Sequence, residues 1–520
     1  MSAHSLFLLL AHKSRHQPRL LRTSCKILQL MIKRLSWLGL VQLAAFAHAG
    51  TFYVSVQGKD SNPGTAAFPW KTIQHSCNQT KSGDAVLVGA GTYNETVTIT
   101  HSMSLKSAAS TKPIIDGTGL AVPANDAGLI LINGVGHVLV EGFEIRNFKT
   151  TNSSLVPAGI FIEGSEDQVT IEGNLVDQIE NDGTNAGNIN AFGIAVYGNS
   201  PKGAITNLVI ENNEVRNTKT GNSETVTVNG NVNGFQVTGN LVHDVNNIGI
   251  DCIGFEGTSP IKGQDQARNG YVGLNTVYNV TSLKNPAYGG SQSADGIYVD
   301  GGTNIVIERN IVHNTDIGIE VTSEHLGKVA SNVIVRSNLV YFSNVVGLSI
   351  GGYDSHRGGT LDCTFVNNTF FENDSTNSGS GEFQIQFYTK GNVFKNNVLF
   401  ASSQGTLLSE ATGAGTPGLT SDYNLFYAPS NESWTWGTGI YGSLASFVKA
   451  TKGDKHSKFG DALFVDSATL NFHLESKSPG VKSGVNLGTS IEGTYDLGGA
   501  SRVIGGSVDL GCYESSTPAP

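Results

Sequence analysis

The chain has 520 residues, of which 64 are glycine, and only 15% of the residues are charged. Glycine is costly inside helices and helix surfaces need charged side chains, so this composition excludes a mainly helical protein. Glycine follows no three-residue period, which excludes collagen. The formal net charge of −10 argues against nucleic acid or an anionic membrane as the main partner. The composition therefore predicts a β-rich chain.

The first fifty residues are predicted to be absent from the mature protein. Met31 is followed by two basic residues, an apolar run and the sequence Ala47-His48-Ala49, which is the order of a secretory signal peptide. We interpret residues 1–30 as a mis-annotated upstream extension and residues 31–49 as the signal peptide, cleaved after Ala49. The alternative is one unusually long signal sequence. Both interpretations predict a secreted or periplasmic protein without a membrane span, since no later stretch has about 18 uninterrupted apolar residues.

The middle of the chain repeats the pattern apolar-x-apolar-x-x-Asn-x-apolar. Its asparagines, spaced by 27 to 39 residues, are Asn174, Asn213, Asn240, Asn275, Asn310, Asn338, Asn368 and Asn397. Each apolar run is a short strand that cannot bury its apolar face alone, whereas stacked coils share a continuous core. We expect the asparagines to hydrogen-bond from coil to coil and to adopt the left-handed conformation that a sharp bend needs.

A second strand in each coil is predicted from segments that begin with Gly-Ile or Gly-Leu. The copies are GIFIE (159–163), GIAVY (193–197), GIDCI (249–253), GIYVD (296–300), GIEVT (318–322) and GLSIG (347–351). The two strands predict an all-β fold, a single-stranded right-handed parallel β-helix of about ten coils. Cys252 and Cys363 fall on inward positions, which predicts core packing. Disulfide pairing among these two, Cys77 and Cys512 stays open.

Residues 52–99 resemble the N-terminal segment of secreted right-handed β-helix proteins of the pectate-lyase-like group, notably polysaccharide lyase family 9. The resemblance implies a capping helix over residues 70–80. It also implies a closing segment from SPGVKSGVNLG (478–488) and GSVDLGCYE (506–514). The predicted organisation is an N-terminal cap with the first coils (50–118), β-helix repeats with the active-site cleft (119–410), and C-terminal coils with the closing segment (411–520).

The outward positions of the second strand bring acidic residues together. Asp251, Asp300 and Glu320 are predicted to lie on three successive coils of one face, with Asp300 diagonal to the other two. Stacked carboxylates repel one another, which favours a functional cluster over an ordinary solvated polar face. Nearby residues predicted to contact a substrate are Glu256, Asp295, Tyr298, Glu324, His325, Tyr353, Asp354, His356 and Arg357.

Glycoside hydrolysis is the preferred use of this cluster. The stretch DGIYVDGGTNIVIERNIVHNTDIGIEV (295–321) is similar to the catalytic stretch of the β-helical β-xylosidases of glycoside hydrolase family 120. The similarity implies that Asp300 is the nucleophile and Glu320 the acid/base, and we expect Asp251 to assist. Such an enzyme needs no cofactor. Its expected partner is a polysaccharide or oligosaccharide, and we expect a monomer.

Two alternatives stay open. A Ca²⁺-dependent lyase would cleave a uronate polysaccharide such as pectate by β-elimination, with Asp251, Asp295 and Asp300 as calcium ligands. Its base would come from Lys262, Arg268, Lys284, Arg309, Lys328 or Arg357, although the strand pattern puts none of them at a recognisable catalytic position. The second alternative is a non-catalytic β-helix for carbohydrate binding or surface attachment, which the acidic cluster disfavours.

Overall fold

The computed structural model describes residues 49–108, 110–125, 128–414 and 418–515, so the predicted upstream extension and nearly all of the signal peptide lie outside the described residues. Three long sheets run the length of this part of the chain, and almost all of their strand pairs are parallel. Each coil contributes one strand to each sheet. The predicted right-handed parallel β-helix is confirmed.

Sheet 1 follows the apolar run before each asparagine. Its main path is Thr51–Val54, Asp84–Val88, Met103–Ser107, Val138–Glu141, Val169–Glu172, Ile205–Glu211, Val232–Thr238, Arg268–Gly273, Thr303–Glu308, Ile334–Arg336, Thr364–Val366, Asn392–Lys395 and Leu419–Asp422. Three short strands join it from the side: Val329–Ser331, Gly359–Leu361 and Thr389–Lys390.

Sheet 2 is formed by the short strand that follows each asparagine. Its strands are Thr92–Tyr93, Ile114–Asp116, Glu144–Arg146, Leu175–Asp177, Glu214–Arg216, Leu241–Val245, Thr276–Val280, Ile311–Thr315, Leu339–Tyr341, Thr369–Phe371, Val398–Phe400, Leu425–Tyr427 and Lys458–Phe459.

Sheet 3 contains the segments predicted as the second strand. Its strands are Val97–Ile99, Gly128–Asn133, Ala158–Glu163, Phe192–Gly198, Val226–Gly230, Ile250–Ile253, Asp295–Asp300, Ile317–Thr322, Val346–Ile350, Phe383–Ile385, Thr406–Glu410, Ser433–Trp436 and Gly439–Tyr441. The last strand pairs antiparallel with the one before it.

Smaller elements complete the fold. The helices are Ile73–Gln79, Leu444–Thr451 and Thr489–Glu492, and the single 3₁₀ turns are Ala186–Asn188, Pro286–Tyr288 and Ser467–Thr469. Two further strand pairs are Lys149–Thr150 with Glu180–Asn181 and Phe464–Asp466 with Asn471–Leu474. No helix in the described ranges is long and apolar enough to cross a membrane.

The stack is longer than the sequence repeat predicts. Sheet 3 has 12 parallel strands in the described part of the chain, besides the antiparallel strand Gly439–Tyr441, against the expected count of about ten coils. The asparagine pattern marks only the coils from Asn174 onward. In the coil before it, Phe143 occupies the same position and its backbone N–H donates to Asn174 Oδ1 at 2.9 Å. The terminal coils therefore contain strands but lack the asparagine pattern from which the number of coils was predicted.

A row of buried asparagines links the coils. Asn174 Nδ2 donates to Asn213 Oδ1 at 3.1 Å and to the carbonyl of Val140 at 3.1 Å, and the same contacts recur from coil to coil as far as Asn424. The left-handed residue of each bend is the one before the asparagine, such as Leu274 at φ 60°. The expectation that the asparagines themselves take this conformation was wrong, because their side chains must turn into the core.

Close packing explains the glycine at the start of the sheet 3 strands. A Cβ on Gly249 would lie 2.7 Å from the carbonyl oxygen of Gly296 and 2.8 Å from Cγ1 of Val277. No side chain fits between coils at this position. The four described cysteines, Cys77, Cys252, Cys363 and Cys512, are buried and none forms a disulfide with another.

A helix covers the N-terminal end of the core, and the C-terminal segment packs beside the coils. The capping helix begins at Ile73, three residues later than predicted, because the side chain of Thr72 accepts from the backbone N–H of His75 at 3.3 Å. The fully buried Arg502 of the C-terminal segment donates to Glu514 Oε1 at 2.8 Å and to Ser337 Oγ, in the bend between two strands of an inner coil, at 3.0 Å. These contacts attach the C-terminal segment to the coils.

Candidate active site

The register of sheet 3 places the predicted acidic residues on neighbouring strands. Asp251 pairs with Tyr298, and Tyr298 pairs with Glu320. Asp300 lies two residues after Tyr298 on the same strand and pairs with Thr322. Neighbouring strands are about 4.8 Å apart, so Asp251 and Glu320 are separated by two such spacings with Tyr298 between them. The diagonal arrangement expected for Asp300 is therefore the one the strands adopt.

A cavity of about 270 Å³ opens beside these strands. Five of its lining residues are carboxylates, and none of the described lining residues is lysine or arginine. The carboxylates are Glu224, Asp251, Glu256, Asp300 and Glu324. The other lining residues are Asn190, Tyr197, Asn222, Ser223, Asn229, Ile248, Ile253, Tyr288 and Tyr298. We call this space the acidic cavity.

Hydrogen bonds fix the carboxylates. Asp300 Oδ1 accepts from the backbone N–H of Glu324 at 2.7 Å, and Asp251 Oδ1 accepts from the backbone N–H of Asp300 at 3.4 Å. One coil on, Glu320 Oε1 accepts from Ser349 Oγ at 2.8 Å. Burial, followed by the charge of Glu320, raises the pKa of Asp295 well above its usual range, and Asp295 Oδ1 has no hydrogen-bond partner among the described residues. Asp251, Asp295, Asp300 and Glu320 are all buried.

Burial and mutual repulsion favour the neutral form of these acids. Burial, followed by the charge of Glu224, raises the pKa of Asp251 well above its usual range. Burial, followed by the charge of Glu324, does the same to the pKa of Asp300. Burial raises the pKa of Glu320 to about 7 and that of Glu224 to about 8. The cluster therefore holds protons at neutral pH and can supply a carboxylic acid beside a carboxylate.

Several of the predicted contact residues lie in or next to the acidic cavity. Tyr298, Glu256 and Glu324 line it directly. His325 Nε2 lies 2.9 Å from Glu256 Oε1, and Arg357 lies 3.7 Å from Glu324. Asp295 reaches the cluster through Glu320.

The structure does not bring Tyr353, Asp354 and His356 to the acidic cavity. Their loop folds on itself: Asp354 Oδ1 accepts from the backbone N–H of His356 at 2.6 Å, and Arg357 stacks over the ring of Tyr353 at 4.5 Å. The His356 side chain is 85% exposed. These residues were predicted at the site because they follow a sheet 3 strand closely in sequence. Closeness in sequence does not determine how a loop folds.

Sequence reasoning missed Glu224, Tyr288 and Asn229. The register from Val226 through Ile250 to Ile297 gives Glu224 the same position on its strand as Asp295 has two coils later. Aligning the residues two positions before each sheet 3 strand's first inward residue identifies Glu224 together with Asp295. Tyr288 lies in a 3₁₀ turn of the long loop before residue 295, where no period applies.

The predicted calcium ligands are not grouped. Among the described residues, the set of three whose ligand atoms all lie within 4.8 Å of one another is Glu256, Asp300 and His325. Of the predicted ligands it contains only Asp300. Calcium prefers oxygen ligands throughout, so a set with an imidazole nitrogen does not fit it.

The lysines and arginines proposed as a lyase base contact other groups. Arg268 donates to Asn231 Oδ1 at 2.7 Å, Arg309 donates to the carbonyl of Leu497 at 3.4 Å, and Lys328 lies over the ring of Phe255 at 5.0 Å. Lys284 lines a different cavity. Arg357 is the nearest to the site, through Glu324. Lys262 is exposed and lines no described cavity.

Comparison with known proteins gives the family. A family model described as a protein of unknown function (DUF1565) matches residues 56–110. The chain is 37% identical over 435 residues to the uncharacterized protein YwoF of Bacillus subtilis (strain 168), and the match covers 82% of this chain and 91% of that protein. The chain belongs to the YwoF family.

Solved structures similar to this YwoF-family chain have low sequence identity to it. The complex of XylC with xylose is 11% identical, with a TM-score of 0.46, and the match covers 79% of this chain and 82% of that one. Pectate lyase Pel9A is 13% identical, with a TM-score of 0.44 and coverage of 90% and 97%. A rhamnogalacturonan lyase is 16% identical, with a TM-score of 0.43 and coverage of 72% and 87%.

Proposed function

We propose that this protein is a carbohydrate-active enzyme that hydrolyses glycosidic bonds at the acidic cavity. One observation carries the proposal: the cavity is lined by five carboxylates and by no described lysine or arginine. Glycoside hydrolysis needs two carboxyl groups, of which one is protonated and the other ionised. A cluster of buried acids with raised pKa values supplies both forms at neutral pH.

In the proposed mechanism Glu320 is the acid/base; it lies beside Tyr298, which lines the acidic cavity, but it does not line the cavity itself. The pKa of Glu320, about 7, keeps it protonated in mildly acidic solution, and Ser349 holds its Oε1. Glu320 donates its proton to the glycosidic oxygen as the bond to the anomeric carbon breaks, and the alcohol leaves.

Asp300 is the proposed nucleophile. The N–H of Glu324 donates to one of its oxygens, which lowers the pKa of Asp300 but does not cancel the larger effects of burial and of the Glu324 charge, so the proposed nucleophile is the ionised fraction of Asp300. The Asp300 carboxylate attacks the anomeric carbon, and water deprotonated by Glu320 then attacks the same carbon and releases Asp300. The net reaction consumes one water. Asp251, whose Oδ1 accepts from the Asp300 N–H, assists by holding this strand end.

Elimination from a uronate polymer is less well supported. It needs a basic residue and a cation that neutralises the substrate carboxylate. The candidate bases lie outside the acidic cavity, and the group at Glu256, Asp300 and His325 does not fit calcium. A uronate without a cation would bury its charge in a cavity whose described lining has no lysine or arginine to pair with it.

The test is a product assay on the mature chain. Neutral and uronate polysaccharides are incubated with and without EDTA, and both reducing ends and the absorbance of the unsaturated elimination product are recorded. We expect reducing ends without unsaturation, and no effect of EDTA. An unsaturated product that EDTA abolishes would overturn hydrolysis in favour of the lyase. Binding without any product would favour the non-catalytic β-helix.

A further inference from the structure

We infer that an aromatic subsite beside the acidic cavity binds the apolar face of a neutral sugar ring. The inference rests on the proposed function and extends it to the class of substrate. The subsite is a second cavity of about 400 Å³ on the outer face of sheet 3. Its lining residues are Ala124, Asn125, Val156, Ala158, Phe161, Asn190, Phe192, Tyr197 and Ser223.

The two cavities are continuous. Asn190, Tyr197 and Ser223 line both of them. Phe161 occupies the same position on its strand as Asp251, and the register from one to the other runs through Ala195 and Thr227. Three strand spacings separate the two residues, or about 14 Å along the axis. This distance exceeds one sugar ring, so only an oligosaccharide occupies both cavities at once.

The aromatic side chains of the subsite pack edge-to-face, with Phe192 largely buried. The Tyr197 ring meets Phe161 edge-to-face at 5.5 Å and Phe192 at 5.8 Å. The three rings pack with Ala158 and Ala195 in a small apolar cluster that is separate from the main core. Outward strand positions are normally polar, so apolar rings here are not explained by burial in the core. Aromatic faces carry negative charge density that attracts the C–H face of a sugar ring.

The lining of the subsite identifies a neutral ligand. Among the residues that the structure describes, this lining contains no charged side chain, and its polar groups are the amides of Asn125 and Asn190 and the hydroxyls of Ser223 and Tyr197. Amides and hydroxyls both donate to and accept from sugar hydroxyls. A uronate carboxylate would lose solvation here without gaining a cation, which is costly. The subsite therefore fits a hexose or pentose unit rather than a uronic acid.

The test measures affinity as a function of oligosaccharide length. Xylo-, cello-, galacto- and manno-oligosaccharides from dimer to hexamer are titrated by calorimetry into the Asp300→Asn chain, which should bind them without turnover. For the preferred sugar, we expect affinity to rise about tenfold once the chain is long enough to reach both cavities. Phe161→Leu and Phe192→Leu keep apolar volume but remove the aromatic face, and each should reduce this gain to less than about threefold.

The matched control is Phe68→Leu, which alters a phenylalanine that is 61% exposed and lines neither cavity, and it should keep the full gain. A gain that persists in both cavity variants overturns the subsite, and so does the lack of binding by every neutral oligosaccharide. Tighter binding of oligogalacturonates than of all neutral chains overturns the neutral assignment. If the length-dependent gain depends on Phe161 and Phe192 but no hydrolysis occurs, the subsite stands and the proposed function fails.

Discussion

The backbone N–H of Glu324 donates to Asp300 Oδ1 at 2.7 Å. This bond joins the loop after the strand Ile317–Thr322 to the end of the strand before it. A carboxylate that accepts a backbone N–H is stabilised in its charged form, which opposes the effect of burial. This bond orients the Asp300 carboxylate at the acidic cavity. The proposed role of Asp300 as nucleophile can be tested by substitution.

Asp300→Asn should lower kcat/KM by about 10³-fold or more, because an amide cannot act as the nucleophile. The amide oxygen still accepts from the Glu324 N–H, so the fold should be retained, which thermal unfolding will check. The control is Asp354→Asn, since Asp354 lies outside the acidic cavity with a side chain that is 45% exposed. It should keep near-normal activity. Substantial activity in Asp300→Asn would show that the nucleophile is another residue.

The pH dependence tests the acid. If Glu320 supplies the proton, kcat/KM falls about tenfold per pH unit above its pKa of about 7, because the ionised form has no proton to donate. A substrate with a good leaving group needs no proton donor, so Glu320→Gln should retain residual activity on it. That activity should no longer fall above pH 7. Glu224→Gln should keep the fall in kcat/KM above pH 7. If kcat/KM instead falls only above about pH 8, and this fall disappears in Glu224→Gln, Glu224 is the acid, since its pKa is about 8.

The acidic site should cost stability at neutral pH. Burial raises the pKa of Glu320 from 4.5 to about 7, so the folded state keeps a proton that the unfolded chain releases. The stability from this group is full below pH 4.5 and is lost as the pH rises to about 7. Glutamine does not titrate, so Glu320→Gln removes this loss. The change in the free energy of unfolding caused by the substitution should therefore be more favourable at pH 8 than at pH 4, by about 2–3 kcal/mol. Chemical unfolding at both pH values measures the difference, and an equal effect at both would contradict the shift.

The sequence predicts the acidic face of sheet 3 better than it predicts the loops around that face, and the reason is physical. Side chains alternate strictly along a strand, so Asp251, Tyr298 and Glu320 could be aligned from three short segments before the structure was known. Loops have no such period. The contact of His325 with Glu256 joins residues that are 69 positions apart, and no local pattern predicts it.

Within the core, too, the sequence predicts only those coils that carry the repeated pattern. It identifies the coils between Asn174 and Asn397, where each amide serves the same contacts. The first coils fill the equivalent position with other residues, such as Phe143, so their strands carry no countable signal.

The asparagine row should be sensitive to a single substitution. Asn275 is buried, and its Oδ1 accepts from both the backbone N–H and Nδ2 of Asn240, at 2.9 and 3.0 Å. Asn275→Ala leaves these donors without a partner and should lower the free energy of unfolding by about 3 kcal/mol or more. Asn486→Ala is the control, because this exposed asparagine accepts only from the N–H of Gly488, and it should cost less than about 1 kcal/mol. Equal urea midpoints for the two variants would show that the row contributes little.

The C-terminal segment should depend on a buried ion pair. The side chains of Arg502 and Glu514 are 0% and 2% exposed, and Arg502 Nη1 lies 2.8 Å from Glu514 Oε1. Burial raises the pKa of Glu514 to about 8, so Arg502→Met should destabilise the protein by about 3–5 kcal/mol above pH 8, where the carboxyl is left charged without its cation, and by less at pH 6. The exposed pair of Lys106 and Glu141, at 2.7 Å, is the matched control, and Lys106→Met should cost less than about 1 kcal/mol.

A double-mutant cycle separates the ion pair from packing. Glu514→Gln removes the charge while its amide oxygen still accepts from the backbone N–H of Asp509. If the cost of Arg502→Met comes from the unpaired carboxyl, the double variant should be more stable than the sum of the two single effects predicts, by about 1–3 kcal/mol. Additive effects, measured by chemical unfolding, would mean that Arg502 stabilises the segment through its bonds to Ser337 and the carbonyl of Cys512 rather than through Glu514.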